Sequence, residues 1–476
     1  MVFSYGRVFT AACALMGSAA AVNTLEVSGK DFVDSVTGDR FQIIGVDYQP
    51  GGESAFTSKK DPLSQPSACL RDAALMQRLG VNTIRVYNLE PTLNHDECAS
   101  IFEAAGIYMI LDVNSPFSTG SLNRAEPWTT YTAGYYEQVF GVIEAFKNFD
   151  NVLGFFAGNE VINQQATYSA PAYVRAVIRD MKQYISNNAN RTIPVGYSAA
   201  DIRNILMDTA IYFECNLSNS TESRADFFGL NSYSWCGDAT YTSSGYNVLT
   251  EDFSNATLPV FFSEYGCNDV TPRTFTEVQA LYGEDMTQAF SGGLVYEWTE
   301  ESNEYGLVQV NDNGTITTLI DYDNLQKQFN KLDMSRIESS NKSQTSIDPP
   351  TCAAKLITSS SFYNSWDLPA APSKVSDYIK SGLPNANTGS LVSVSSTTIP
   401  ETIYDYTGTE ITGVSYKVLS SGESAGPNGN SSSTSSSTST SGTSSSSSTS
   451  NPASMNSAPV ALGGLASFFM LLASLL

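Results

Sequence analysis

Two glutamates stand in the same local setting. Residues 152–161 read VLGFFAGNEV, an apolar run that breaks at Gly158 into Asn159 and Glu160. Residues 258–266 read LPVFFSEYG, a second apolar run ending in Glu264. Each run has the length and composition of a strand buried on both faces, whose C-terminal end delivers polar residues above a sheet. One glutamate after such a strand is also what a helix start beside the core produces. Two carboxylates at the mouths of two different buried strands are what acid, base or nucleophilic work on a glycosidic bond requires. Other chemistries have little to use. His95 is the only histidine, so a Ser-His-Asp triad or a multi-histidine metal site has almost no material. No CxxC occurs, which removes zinc and thiol-redox readings, and no metal or cofactor is expected.

The elements that position the pair repeat along the chain. After a short hairpin over residues 25–40, buried strands are expected at 41–46, 83–87, 108–113, 152–157, 193–197, 227–233, 260–264 and 294–298. Residues 211–213 are a weaker candidate for the sixth. Helical spacing separates most of them, over residues 67–79, 96–105, 131–148, 171–187, 201–209 and 276–290. Eight buried strands alternating with helices are the signature of a (β/α)8 TIM barrel, an α/β fold. An open doubly wound sheet is the alternative, but no GxGxxG or GxxxxGK follows the first strand, so no nucleotide site supports it. On a barrel the strand ends share one rim. Asp47, Tyr48 and Gln49 follow the first strand, Tyr87 and Asn88 the second, and Asp112 and Asn114 the third. Asn159 and Glu160 follow the fourth, Asn231 and Tyr233 the sixth, Glu264 and Tyr265 the seventh, and Tyr296 and Trp298 the eighth. Carboxylates, amides and tyrosines suit a polyhydroxylated, uncharged ligand. Trp298, as a strand residue, is expected to face the core.

The chain has 476 residues and a net charge of −23, which argues against nucleic-acid and anionic-membrane partners. Arg7 precedes an apolar stretch at residues 8–16 and small residues at 17–21, the pattern of a secretory signal peptide over residues 1–21. The barrel is expected over 22–330 and a Ser/Thr/Pro-rich extension over 331–420, with strand-like pieces at 391–394 and 413–418. Residues 421–457 are expected as a linker, nearly pure Ser/Thr from 431 to 450, which cannot bury enough apolar surface to fold. Residues 458–476 are apolar and uncharged with no basic residue after them, which reads as a GPI-attachment signal that is removed. The expected location is secreted, on the outer face of the cell membrane and in the cell wall. Sequons at Asn190, Asn216, Asn219, Asn255, Asn313, Asn341 and Asn430 agree with export. So do the six cysteines left once Cys13 departs with the signal, which allow three disulfides and fifteen pairings. No coiled-coil heptads appear, so a monomer is expected.

Several ordered motifs carry a resemblance. DYQPGG (47–52), NTIRVYNL (82–89), GNEVIN (158–163), SEYGCN (263–268) and YEWTEESNEYGLV (296–308) resemble the fungal GPI-anchored β-1,3-glucanosyltransferases, glycoside hydrolase family 72. The likeness runs over roughly residues 22–340. It implies a retaining (β/α)8 enzyme that cleaves inside one β-1,3-glucan chain and passes the new reducing end to the non-reducing end of another. Carried over, Glu160 matches the general acid/base, Glu264 the nucleophile, and Asn159 the amide that binds the hydroxyl next to the anomeric carbon. Tyr48, Gln49, Tyr87, Asp112, Tyr233 and Tyr296 match the donor-site lining, and Asn114 joins them on the rim. The implied disulfides are Cys69–Cys98, Cys215–Cys352 and Cys236–Cys267. No cysteine follows Cys352, so the chain resembles the shorter subgroup without a cysteine-rich carbohydrate-binding module. The implied partners are β-1,3-glucan donor and acceptor chains and, through the anchor, the plasma membrane. A secreted endo-β-1,3-glucanase and a non-catalytic wall-binding protein are the alternatives; retention of both glutamates and Asn159 disfavours the second.

Overall fold

The computed structural model describes residues 22–164, 169–218, 220–338, 347–394 and 396–427. The expected signal segment, Ser/Thr run and apolar tail lie outside the described residues, as do the sequons at Asn219, Asn341 and Asn430. Among the described residues no helix is long and apolar enough to cross a membrane.

An N-terminal ribbon of β1 (Leu25–Ser28), β2 (Asp31–Asp34) and β3 (Arg40–Phe41) precedes the barrel. The barrel strands are β4 (Ile43–Tyr48), β5 (Thr83–Val86), β6 (Tyr108–Asp112), β7 (Val152–Asn159), β8 (Val195–Ala200), β9 (Phe228–Asn231), β10 (Val260–Tyr265) and β11 (Gly292–Val295). They close in the order β10-β11-β4-β5-β6-β7-β8-β9, every pair parallel. Between and after them lie α1 (Pro66–Leu79), α2 (Asp96–Ala104), α3 (Ala133–Phe146), α4 (Ala170–Asn188), α5 (Leu206–Glu214), α6 (Tyr246–Asp252), α7 (Glu277–Leu281) and α8 (Ile320–Phe329). Helix ends follow local chemistry: α1 starts with Pro66 in its first turn and stops at Gly80, whose φ of 97° is open to glycine and closed to most side chains.

Strand alternation sorts side chains into two cores. Outward residues such as Ile44, Val46, Ile84, Val86, Met109 and Leu111 pack under the helices. Inward residues at the lower end, including Ile43, Ile110, Leu153, Phe156, Phe227 and Phe261, form a second cluster with Leu25 and Phe32 of the ribbon. Phe32 sits 5.9 Å from both Phe227 and Phe261, edge-on or tilted, so the ribbon plugs the barrel from below. Polar inward residues are thereby confined to the upper end.

Several expectations shift. The eighth strand is Gly292–Val295, ahead of residues 294–298, because two glycines hide its start. The helix expected over 276–290 stops at Leu281 and yields one 3-10 turn, Met286–Gln288, after the break at Gly283. Residues 211–213 belong to α5. The pieces at 391–394 and 413–418 are not strands; they run along α2, where Val392 N donates to Ser100 Oγ and Tyr416 OH to the Ile101 carbonyl. The extension instead supplies β14 (Ile403–Tyr404), which joins β12 (Val308–Val310) and β13 (Ile316–Thr318), and α10 (Ser373–Ser381) against α3 and α4; a short α9 (Met334–Ile337) precedes them. It stays on the barrel beyond residue 420, where the linker was expected: Ala425 N donates to the Gly106 carbonyl at 2.8 Å.

The disulfides are Cys69–Cys98, Cys215–Cys352 and Cys236–Cys267, with Cα–Cα distances of 5.5, 5.0 and 5.2 Å. Asn190, Asn255 and Asn313 are exposed and Asn216 half-buried. Cys215–Cys352 closes the largest loop, with a sequence separation of 137, and ties the extension to α5. Replacing both cysteines by serine should cost about 2–5 kcal/mol of stability, measured as a lower denaturant midpoint in equilibrium unfolding.

Candidate active site

The rim is organised around Arg85, an inward residue of β5 that is fully buried. Its Nε donates to Asp112 Oδ2 at 2.8 Å and its Nη2 to Asp112 Oδ1 at 3.3 Å, a two-point grip from β5 to β6. Its Nη1 crosses the barrel to Glu264 Oε1 at 3.2 Å and to the Ser263 carbonyl at 3.1 Å. The guanidinium lies over Tyr87 and Phe156, 4.3 and 4.6 Å from the ring centroids.

Glu264 accepts two further hydrogen bonds, from Tyr87 OH to Oε1 at 3.0 Å and from Tyr233 OH to Oε2 at 2.8 Å. Burial pushes its carboxyl up to about 7; Arg85 opposes this, the Glu160 charge adds to it, and the tyrosine hydrogen bonds pull it back. Burial also holds the Tyr87 and Tyr233 hydroxyls well above their usual range, so both remain donors. Glu160 faces Glu264 from the other wall. Asn231 Nδ2 donates to Glu160 Oε1 at 2.8 Å and to Asn159 Oδ1 at 3.1 Å, fixing the two as one unit. Local irregularity aims both glutamates. The β7–β8 register shifts between Phe156 and Asn159, and the β9–β10 register between Phe262 and Glu264. Glu160 itself has a φ of 47°, rare for a residue with a Cβ.

The wall above is aromatic. Tyr233, Tyr296 and Tyr305 meet edge to face, with centroids 6.4, 5.7 and 5.3 Å apart. Gln49 is buried and lines a small hollow with Asn88, Phe56 and Gly52.

The residues expected at the site therefore divide. Glu160, Glu264, Asn159, Tyr87, Tyr233 and Tyr296 are brought together, whereas Gln49 lines the small hollow that follows β4. Tyr48 is not: it follows Ile44 and Val46 to the outside of β4, is fully buried, and donates to Asp72 Oδ2 at 2.9 Å. Asp47, one residue earlier, points inward in its place. Asp112 belongs to the site as the counter-ion of Arg85. The Asn114 amide is held within the protein, its oxygen by Tyr135 OH at 3.0 Å and its nitrogen on the Ala157 carbonyl at 3.4 Å. Trp298 is fully buried against Tyr322, as expected, although it lies three residues beyond the end of β11. Arg85 is the site residue that sequence reasoning passed over; Asn231 was expected on the rim, and the structure shows it holding Glu160 and Asn159. A lone arginine in the apolar run TIRVY was the available signal.

Comparison with known proteins gives the geometry its setting. A protein-family model described as glucanosyltransferase matches residues 14–333. The chain belongs to this family. It is 66% identical over 432 residues to 1,3-beta-glucanosyltransferase gel2 of Aspergillus fumigatus, covering 91% of this chain and 90% of that protein. It is 47% identical over 355 residues to 1,3-beta-glucanosyltransferase GAS4 of Saccharomyces cerevisiae, covering 74% and 75%. Among solved structures it is similar to a mutant of Saccharomyces cerevisiae Gas2p in complex with laminaritetraose and laminaripentaose. That match has a TM-score of 0.66 and 40% identity, covering 74% of this chain and 76% of the other.

Two predictions follow from the buried charges of this family member. Arg85→Met leaves Asp112 and Glu264 without their cation and should cost about 3–5 kcal/mol, read from the unfolding midpoint. Burial also raises Glu103, Glu277 and Glu297 to about 7, as it does Glu264, from an ordinary 4.5. Between these values the folded state binds more protons than the unfolded one, so stability is highest below the lower value and declines as pH rises through the window. The melting temperature should therefore be higher near ~pH 5 than near ~pH 7.5.

Proposed function

We propose that this chain is a retaining β-1,3-glucanosyltransferase, with Glu264 as nucleophile and Glu160 as general acid/base. The observation that carries the reading is the facing pair: Glu264 held by Arg85, Tyr87 and Tyr233, and Glu160 half-buried on the opposite wall under Asn231. Glu264 attacks the anomeric carbon while Glu160 gives its proton to the departing glycosidic oxygen, leaving a glycosyl-enzyme ester. Glu160, now ionised, takes the proton from an acceptor sugar hydroxyl, whose oxygen displaces Glu264 and restores the β-linkage. Asn159, held by Asn231, is the amide beside the anomeric centre. Gln49, Tyr87 and Tyr296 line the donor side.

β-1,3-Glucan as donor and acceptor is supported by the names of the relatives and by the laminari-oligosaccharides bound to the Gas2p mutant. Transfer rather than hydrolysis is supported by family membership and by the names of the relatives. Export to the cell wall as a glycosylated, GPI-anchored monomer is part of the same proposal. It is supported by three disulfides in the folded region, the leader-like start and the apolar C-terminal tail.

The test is incubation of the secreted protein with reduced β-1,3-glucan oligosaccharides, followed by mass and chromatographic analysis. Products longer than the starting chain are expected, and Glu160→Gln and Glu264→Gln should each slow their formation about a thousandfold or more. Shorter fragments alone would make the chain a hydrolase.

A further inference from the structure

The rim carries an aromatic surface that the reaction above does not use. It lies on the loops that follow β4 and β6, which flank β5 in the ring. The turn over residues 115–120 is closed by its own backbone: Ser115 N donates to the Gly120 carbonyl at 2.9 Å, and Gly120 N to the Phe117 carbonyl at 2.7 Å. Phe117 stands within this turn with 39% of its surface exposed. Its ring rests against Phe56 of the β4–α1 loop, with centroids 4.9 Å apart. A single exposed phenylalanine is ordinary on a protein surface. This one is held by a closed turn and a partner ring, next to polar groups that lack partners.

Those groups line the hollow to which Phe56 also belongs. The hollow measures about 10 Å³, room for one water or one hydroxyl group, and Gln49, Lys60, Asp61 and Asn88 meet in it. Asp61 is fully engaged: it accepts from Leu63 N and Glu90 N and pairs with His95 Nε2 at 2.7 Å. The side-chain amides of Gln49 and Asn88 make no hydrogen bond to any described residue, although Gln49 is only 9% exposed. An amide withdrawn from water in this way costs free energy until something supplies its bonds. Asn88 has a φ of 54° and comes directly after Tyr87, whose hydroxyl donates to Glu264 Oε1 at 3.0 Å. Consecutive residues thus lead from the hollow to Glu264.

A β-linked glucose ring presents hydroxyl groups at its edge and C–H groups on its faces, so it matches unpartnered amides beside an exposed apolar ring. We infer that Phe117, backed by Phe56, is the platform of a distal donor subsite. A glucosyl ring of the β-1,3-glucan donor stacks on Phe117, while Gln49 and Asn88 take one of the chain's hydroxyl groups in the hollow. The side is the donor's because Gln49 and Tyr87 line the donor side of the proposed reaction. The inference rests on that reaction for the identity of the chain and for Glu264 as nucleophile.

The experiment follows initial release of the reduced-end fragment from reduced β-1,3-glucan oligosaccharides of increasing length, which reports donor cleavage. A distal subsite acts on donors long enough to reach it, and by holding ground state and transition state alike it lowers KM rather than raising kcat. In Phe117→Ala the rise of kcat/KM from the shortest cleaved donor to the longest should shrink about tenfold, through KM. Asn88→Ala should shrink it about threefold, and Phe117→Trp, which keeps an aromatic face, should preserve it. Tyr406→Ala removes another exposed ring, 48% exposed on the extension, and should leave the length dependence as it is. An equal loss at every donor length, or a loss in kcat alone, would mean a structural role and overturn the inference. A length dependence untouched by Phe117→Ala, or a change confined to the KM of the acceptor, would overturn it as well. Titration of Glu160→Gln with the same oligosaccharides separates this test from that of the reaction. Absence of any binding would defeat the proposed function and the distal subsite together; binding indifferent to an added Phe117→Ala would defeat the subsite alone.

Discussion

Inside the upper barrel the scarce resource is positive charge. Asp47, Asp112, Glu264 and Glu160 converge where Arg85 is the guanidinium that faces them. In a medium of low polarisability a carboxylate without a partner reverts to its neutral form, so the position of one cation decides which carboxyls stay ionised. Arginine suits this position because it does not lose its proton and its planar fork addresses two acids at once. Asp112 takes the two-point grip and orients the fork, leaving Nη1 for Glu264. The ionisation of Glu264 is therefore set by a residue three strands away around the eight-stranded barrel, and the tyrosines only refine it.

The apolar plug below makes this arrangement possible. Phe32, Phe156, Phe227 and Phe261 fill the lower barrel and keep water from reaching Arg85 from beneath. Above the plug, inward positions are polar. The register shifts in β7 and β10 turn Glu160 and Glu264 into the cleft at points where regular alternation would send alternate residues to the helices. The Cys236–Cys267 disulfide joins the segments that leave β9 and β10, a few residues beyond Tyr233 and Glu264, so donor and acceptor of that hydrogen bond are tied together covalently.

Much of this was legible in the sequence. Continuous apolar runs with helical spacing between them define a parallel barrel because only strands covered on both faces tolerate such runs. Where the pattern weakened, the reading weakened with it. The Gly292-Gly293 start of β11 carries no side-chain signal, and the break at Gly283 splits a helix that apolar spacing alone would continue. The extension was read as strand pieces because Val and Leu at alternating positions look the same whether they meet a sheet edge or the side of α2. Its course along the barrel to residue 427 depends on distant turns at Gly80 and Gly106.

The sequence by itself determined the fold class, the two glutamates and the rim they share, since strand ends follow from hydrophobic pattern and the carboxylates stand at those ends. Motif likeness added the family and the disulfide pairing. Which face of a strand a rim residue takes was decided only by the tertiary structure. Tyr48 and Asp47 are neighbours in the chain, yet one packs under helices and the other enters the barrel, because alternation is fixed by register and register by the closed ring of partners. The same closure placed Arg85 against both Asp112 and Glu264, residues 27 and 179 positions away. No local pattern encodes such distances; they exist only once the eighth strand has met the first.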